Sequence, residues 1–104
     1  MNQTLLKVKN LEKFVRKHGD DSYIAQTISK MTAFKIKNYK KKIQRLEKEL
    51  KKYEKTYKKK SSVFIKEFKS GKLGDDMDLI EWSSLYQMYS RLLHKKRELE
   101  DIER

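Results

Sequence analysis

The chain has 104 residues, of which 40% are charged and 37% apolar, and it carries a formal net charge of +12. Cysteine is absent, which excludes disulfides, thiolate zinc sites and cysteine nucleophiles. With no proline and only three glycines, the composition predicts long helices in a single helical domain over residues 1–104, and not a thick globular core.

The sequence shows no sign of a membrane segment or a secretion signal. No stretch approaches the roughly 20 apolar residues that span a bilayer. The N-terminus also lacks the apolar region of a signal peptide. We therefore expect a cytoplasmic location and no membrane partner.

Turn signals divide the chain into four predicted helices. Glycines next to capping residues at 18–22 and 70–76, and the serine pair at 61–62, mark three breaks. No segment alternates apolar and polar residues for long enough to predict a strand. The predicted helices span approximately residues 4–17, 22–58, 62–69 and 76–103.

The second predicted helix carries a heptad seam, with apolar residues at alternating spacings of three and four. The seam consists of Ile36, Tyr39, Ile43, Leu46, Leu50, Tyr53 and Tyr57. Upstream, an apolar stripe that ends at Phe34 is shifted in phase, which suggests a change of packing partner near that residue. A helix of this polarity must pack on something to cover its apolar face.

The last predicted helix is the expected packing partner. Its apolar face comprises Trp82, Leu85, Tyr86, Tyr89, Leu92, Leu93 and Leu99. Residues 35–60 hold thirteen basic and three acidic side chains, whereas residues 75–104 hold five basic and eight acidic ones, so the two helices attract. We expect an all-α fold: an elongated antiparallel helical hairpin or coiled coil, with a short N-terminal helix and a short connecting helix. Phe64 and Phe68 of the connecting helix would close the end of the hairpin.

Basic residues dominate the face of the second helix that lies opposite the seam. The candidates for nucleic-acid contact on this face are Lys41, Arg45, Lys48, Lys52, Lys55 and Lys59. Such a row could follow a phosphate backbone by counterion release, or it could be only a solvated face. No helix-turn-helix, zinc-finger or aromatic stacking module accompanies it.

The remaining polar residues do not form a catalytic or metal-binding pattern. The acidic residues at the start of the last helix lack the spacing of a calcium loop, and we expect Asp75 or Asp76 to accept hydrogen bonds from the first free amides of that helix. His18 and His94 are isolated, so neither a zinc ligand set nor a nucleophilic triad is present. We expect no cofactor, no metal and no enzymatic activity.

Aromatic side chains exceed what one helix–helix seam can cover. Most of them should form the core of the hairpin, and the others would be anchors for a partner chain or a homodimer contact. The candidate partner-binding residues are Trp82, Tyr86, Tyr89, Phe64 and Phe68, with Trp82 as the main anchor.

The stretch from Phe64 to Trp82 has a specific pattern of turn and aromatic residues. It reads Phe-x3-Phe-x2-Gly-x-Leu-Gly-Asp-Asp-x-Asp-x2-Glu-Trp. Three residues of the second helix belong to the same pattern: Tyr39, Ile43 and Leu46. The segment from about Tyr23 to Leu93 resembles, on these residues, a group of small helical proteins encoded in archaea and bacteria, often beside toxin genes. Members of that group resemble antitoxins, so the resemblance implies a toxin-neutralising role and a partner encoded by a neighbouring toxin gene. Residues 1–20 lie outside it.

Three functions are compatible with the sequence. The first is a non-catalytic, antitoxin-like protein-binding module that neutralises a partner protein through the aromatic face of the hairpin. The second is a nucleic-acid-binding protein that uses the basic face of the second helix. The third is a structural coiled coil that self-associates as a homodimer or a higher oligomer.

Overall fold

A computed structural model describes residues 2–104, and all regular secondary structure in that range is α-helical. The helices are α1 (Gln3–His18), α2 (Ser22–Tyr57), α3 (Ser61–Lys69) and α4 (Met77–Asp101). The all-α prediction is confirmed, and every helix begins and ends within two residues of its predicted limits.

The chain divides into two compact units, Met1–Met31 and Thr32–Arg104. The first unit contains α1 and the beginning of α2, and the second contains the rest of α2 with α3 and α4. α2 runs without a break through both units. The division into units does not test whether they form one domain, so the single helical domain over residues 1–104 stays a prediction.

The helix ends of the first unit are set by short polar residues and one glycine. The Oδ1 atom of Asn2 accepts a hydrogen bond from the Leu5 amide at 3.0 Å and caps α1. Gly19, with a φ of 90°, ends α1 and donates its amide to the Val15 carbonyl at 2.8 Å. The Oδ1 atom of Asp21 then accepts the Ile24 amide at 3.1 Å, which starts α2. No residue of α1 is buried.

In the second unit, α2 and α4 run antiparallel and form the predicted hairpin. The Tyr57 hydroxyl, at the end of α2, donates to the Asp78 carboxylate in the first turn of α4 at 3.3 Å. Tyr39, five turns earlier in α2, lines the same surface groove as Leu99 and Ile102 at the opposite end of α4. The two helices therefore pair in opposite directions along this length.

The core of the second unit lies where α3 closes the hairpin. Its buried residues are Leu50, Phe64, Ile65 and Trp82. Half-buried apolar side chains surround them: Tyr53, Phe68, Leu73, Leu79, Leu85, Tyr86 and Tyr89. The prediction that the two phenylalanines of α3 close the end of the hairpin is confirmed.

The loop between α3 and α4 differs from the prediction in one respect. Gly71 and Gly74 adopt φ values of 81° and 78°, a left-handed conformation that glycine tolerates well. Asp76 is the residue that precedes α4, but its carboxylate makes no capping hydrogen bond, so the predicted capping role of the acidic cluster is wrong for this side chain. Its backbone carbonyl accepts the Ile80 amide instead, at 2.9 Å.

None of the helices within residues 2–104 has both the length and the apolar character needed to cross a bilayer.

Candidate interaction surfaces

Trp82 lies at the centre of an aromatic stack and has no accessible surface. Its ring lies parallel to that of Phe64, with 3.7 Å between centroids, and Tyr53 and Tyr57 stack at 5.7 and 5.5 Å. The Trp82 Nε1 atom donates to the Ser61 hydroxyl at 2.9 Å, so the indole is also satisfied as a donor. A side chain without accessible surface cannot contact a partner protein. The prediction that Trp82 and Phe64 are partner anchors is therefore wrong for this fold, because both belong to the core.

The other three aromatic candidates retain some exposed surface. Phe68 is half-buried beside Phe64, with ring centroids 5.5 Å apart, and Tyr86 and Tyr89 are half-buried with centroids 6.0 Å apart. The two tyrosines line an open groove of about 310 Å³ between α2, the start of α3 and α4. Burial raises the pKa of Tyr89, and the nearby Glu47 carboxylate raises it further. A partner contact at these three residues stays a prediction.

The basic face of α2 forms a continuous row in the second unit. We call it the basic row: Lys37, Lys41, Arg45, Lys48, Lys52 and Lys55. Its members are spaced three or four residues apart, so they share one face of the helix, and all are exposed. The row lies on the opposite face from the buried seam residues Ile43, Leu46 and Leu50. Within residues 2–104, the only ion pair that involves a member joins Lys52 to Glu49 at 3.2 Å, and both partners are well exposed.

Lys59 does not belong to this row, contrary to the prediction. The residue before it, Lys58, has a φ of 54° and lies beyond the end of α2, so the helical spacing stops there. The Lys59 ammonium forms an ion pair with Glu67 of α3 at 2.8 Å, and its side chain is only 29% exposed. Lys59 therefore ties α3 to the end of α2.

An apolar surface that the sequence reasoning did not single out lies on α1. Its large apolar side chains are between 37% and 54% exposed: Leu5, Leu6, Val8, Leu11 and Phe14. Val8, Leu11 and Val15 follow the i, i+3, i+7 spacing of one helix face, and this signal could have identified the surface. The opposite face carries lysines, including Lys9 and Lys13.

The described residues form an all-α protein whose second unit is a helical hairpin closed by a short helix. No group of three or more histidine or acidic side chains is arranged to hold a metal ion within residues 2–104. Comparison of the chain with protein-family models, with curated proteins and with solved structures finds no match.

Proposed function

We propose that the chain is a non-catalytic, antitoxin-like protein-binding module, and that α1 is the segment that binds the partner. The observation that carries the proposal is that α1 buries none of its residues although it presents five large apolar side chains. Val8, Leu11 and Phe14 recur at spacings of three residues, and exposed apolar side chains grouped on one side of a helix are typical of interaction sites.

The energetics of a short helix favour a binding role. An isolated helix of about 12–15 residues is marginal in water and takes most of its stability from packing of its apolar face. α1 has 16 residues and no buried face, so a partner that covered Val8, Leu11 and Phe14 would stabilise the helix as it bound. This is the helix-in-groove mode of recognition, in which anchors recur at i, i+3, i+4 and i+7.

The charge of α1 defines the chemistry of the partner. The helix contains five lysine and arginine side chains against one acidic residue, Glu12. Complementary potentials speed association and select the partner. We therefore expect an apolar groove with aspartate and glutamate residues along its rim.

The antitoxin resemblance supports the identity of the scaffold. The residues that carry it include Phe64, Gly71, Gly74 and Trp82, which form the core and the loop of the hairpin. α1 lies outside the resemblance, as expected if a common hairpin presents a partner-specific helix. The product of a neighbouring toxin gene is the first partner to test.

The test is co-expression with that gene product, followed by co-purification and measurement of Kd. The double variant Leu11→Gln/Phe14→Gln removes two anchors, and each buried large side chain contributes about 2 kcal/mol, or roughly thirtyfold in Kd. We expect the variant to lose the complex. The matched control, Lys9→Gln/Lys13→Gln, changes the opposite face of α1 and should weaken binding by only a few-fold.

Two results would contradict the proposal in different ways. A complex that forms normally with the Leu11→Gln/Phe14→Gln variant but is lost with Tyr86→Gln would move the binding surface to the aromatic groove of the hairpin. The absence of any complex with the neighbouring gene product would remove the antitoxin-like role.

A further inference from the structure

We infer that the basic row of α2, together with Phe34, is a binding site for single-stranded nucleic acid. The row would contact the phosphates, and the Phe34 ring would stack on an unpaired base. This site is separate from the surface of α1 and does not depend on the protein-binding proposal.

The basic row has the length and regularity that a phosphate backbone requires. From Lys37 to Lys55 the helix advances 18 residues, or about 27 Å at 1.5 Å per residue. Five of the six cations have no acidic partner within the described part of the chain: Lys37, Lys41, Arg45, Lys48 and Lys55. They are therefore available to contact an external anion.

Phe34 adds an exposed aromatic ring to the basic row, which a face of solvated lysines alone does not have. It precedes Lys37 by three residues and Lys41 by seven, so its ring lies on the same face of α2 as the row. Its side chain is 65% exposed, so the ring is not covered by another helix. An exposed aromatic ring in line with a row of cations is the combination that proteins use to bind single strands.

The chemistry favours a single strand over a duplex. Five of the six cations are lysines, which attract phosphates as point charges and do not read base edges in the way that arginine and asparagine do. A phenyl ring stacks on any unpaired base, whereas the bases of a duplex are stacked on each other. We therefore expect little sequence preference and a clear preference for unpaired strands.

The experiment measures the binding of the full-length protein to a fluorescein-labelled single strand of mixed sequence and to a duplex of the same length. Fluorescence anisotropy is recorded between about 50 and 200 mM salt, the range over which phosphate contacts lose most of their affinity. Six contacts predict a log–log slope of about −4 for a single strand, or a loss of roughly two orders of magnitude over this range. Binding that does not change with salt would overturn the proposal.

Two variants with matched controls assign the contacts. Replacing Lys41, Arg45, Lys48 and Lys52 with glutamine should reduce single-strand affinity at least hundredfold at low salt. The control replaces four exposed cations outside α2 with glutamine: Lys66, Lys69, Lys72 and Arg91. It removes the same net charge, so an equal loss in both variants would show that overall charge, and not the row, binds the strand.

The stacking contact has its own test. Phe34→Ala should weaken single-strand binding roughly tenfold and leave duplex binding unchanged, because stacking on one base contributes about 1–3 kcal/mol. Ile80→Ala, at an exposed apolar residue of α4, is the control and should change neither. Unchanged single-strand affinity in Phe34→Ala would remove Phe34 from the site.

Binding to phosphatidylserine vesicles without binding to either oligonucleotide would overturn the nucleic-acid assignment.

Discussion

Trp82 is the largest fully buried side chain of the second unit. It contacts rings from α2 and α3 and donates a hydrogen bond to Ser61 at the start of α3. One side chain of α4 thereby joins three helices. Its hydrogen bond is buried at both ends, so loss of the acceptor cannot be compensated by water.

Ser61→Ala should destabilise the protein by about 1–3 kcal/mol, because it leaves the buried Trp82 N–H without an acceptor. Urea unfolding followed by Trp82 fluorescence and by circular dichroism measures the change. Ser62→Ala is the matched control, since the adjacent serine is exposed and should have little effect. Equal stability of the two variants would mean that the hydrogen bond contributes nothing to folding.

We expect the hairpin tyrosines to make the folded state less stable at alkaline pH. Burial raises the pKa of Tyr53 above the usual value of 10.0, and a hydrogen bond to Glu81 raises it further. The folded state thus holds the phenol proton more tightly than the unfolded state, so this contribution is present below about pH 10 and is lost as the pH rises through the folded pKa. We expect Tyr53→Phe to lose less stability than wild type above pH 10, as measured by urea unfolding at a series of pH values. Tyr23→Phe, at an exposed position, is the control and should follow the wild-type profile.

At the residue scale, the sequence predicted which side chains are apolar and on which face they lie, but not which of them are covered. Trp82 and Tyr86 both fit the helical spacing of α4, yet only Trp82 is fully buried. The difference comes from α3, whose Phe64 packs on one side of the hairpin end. The spacing of apolar residues within α4 does not show where α3 packs. The sequence alone therefore could not show that Trp82 is buried and cannot be a partner anchor.

The connection between α2 and α3 depends on side chains that reach across it. The Glu54 carboxylate accepts the Ser61 amide at 2.8 Å and so caps α3 from the preceding helix. α3 has no capping side chain of its own, because the residue before it is Lys60. The Lys59–Glu67 pair holds the same connection at 2.8 Å.

Glu54→Ala should destabilise the hairpin by about 1–3 kcal/mol, because the amide of the buried Ser61 loses a charged acceptor. Glu49→Ala, one turn and a half earlier on α2, removes only an exposed pair with Lys52 and should cost less than about 1 kcal/mol. Thermal unfolding by circular dichroism compares the two variants. A larger loss in Glu49→Ala would show that the exposed pair matters more than the capping contact.

At the element scale, the sequence predicted all four helices and the direction of the hairpin, since glycines, serines and heptad spacing are local signals. It did not predict the cap of α3, which comes from Glu54 seven residues upstream. The heptad spacing also predicts that Lys59 lies on the basic face of α2, because the spacing continues through Lys58, where the backbone in fact leaves the helix. Both differences arise at the same chain reversal, whose geometry is set by contacts between helices.

Across the whole molecule, charge and exposed apolar surface have opposite effects on association between copies. The net charge of +12 makes copies repel each other, and α1 itself holds five basic side chains against one acidic. The apolar side chains of α1 favour association because water leaves their surface. Which effect dominates depends on screening: the Debye length is about 30 Å at 0.01 M ionic strength and about 3 Å at 1 M.

We therefore expect sedimentation equilibrium at micromolar concentration to give a monomer in about 0.01 M salt and weak self-association in about 1 M salt. The Leu11→Gln/Phe14→Gln variant should stay monomeric in both, because it lacks the apolar anchors that drive the contact. A dimer that forms equally at both salt concentrations and persists in that variant would require an interface in the hairpin. That result would favour the structural coiled coil over a module whose α1 is available to an acidic partner.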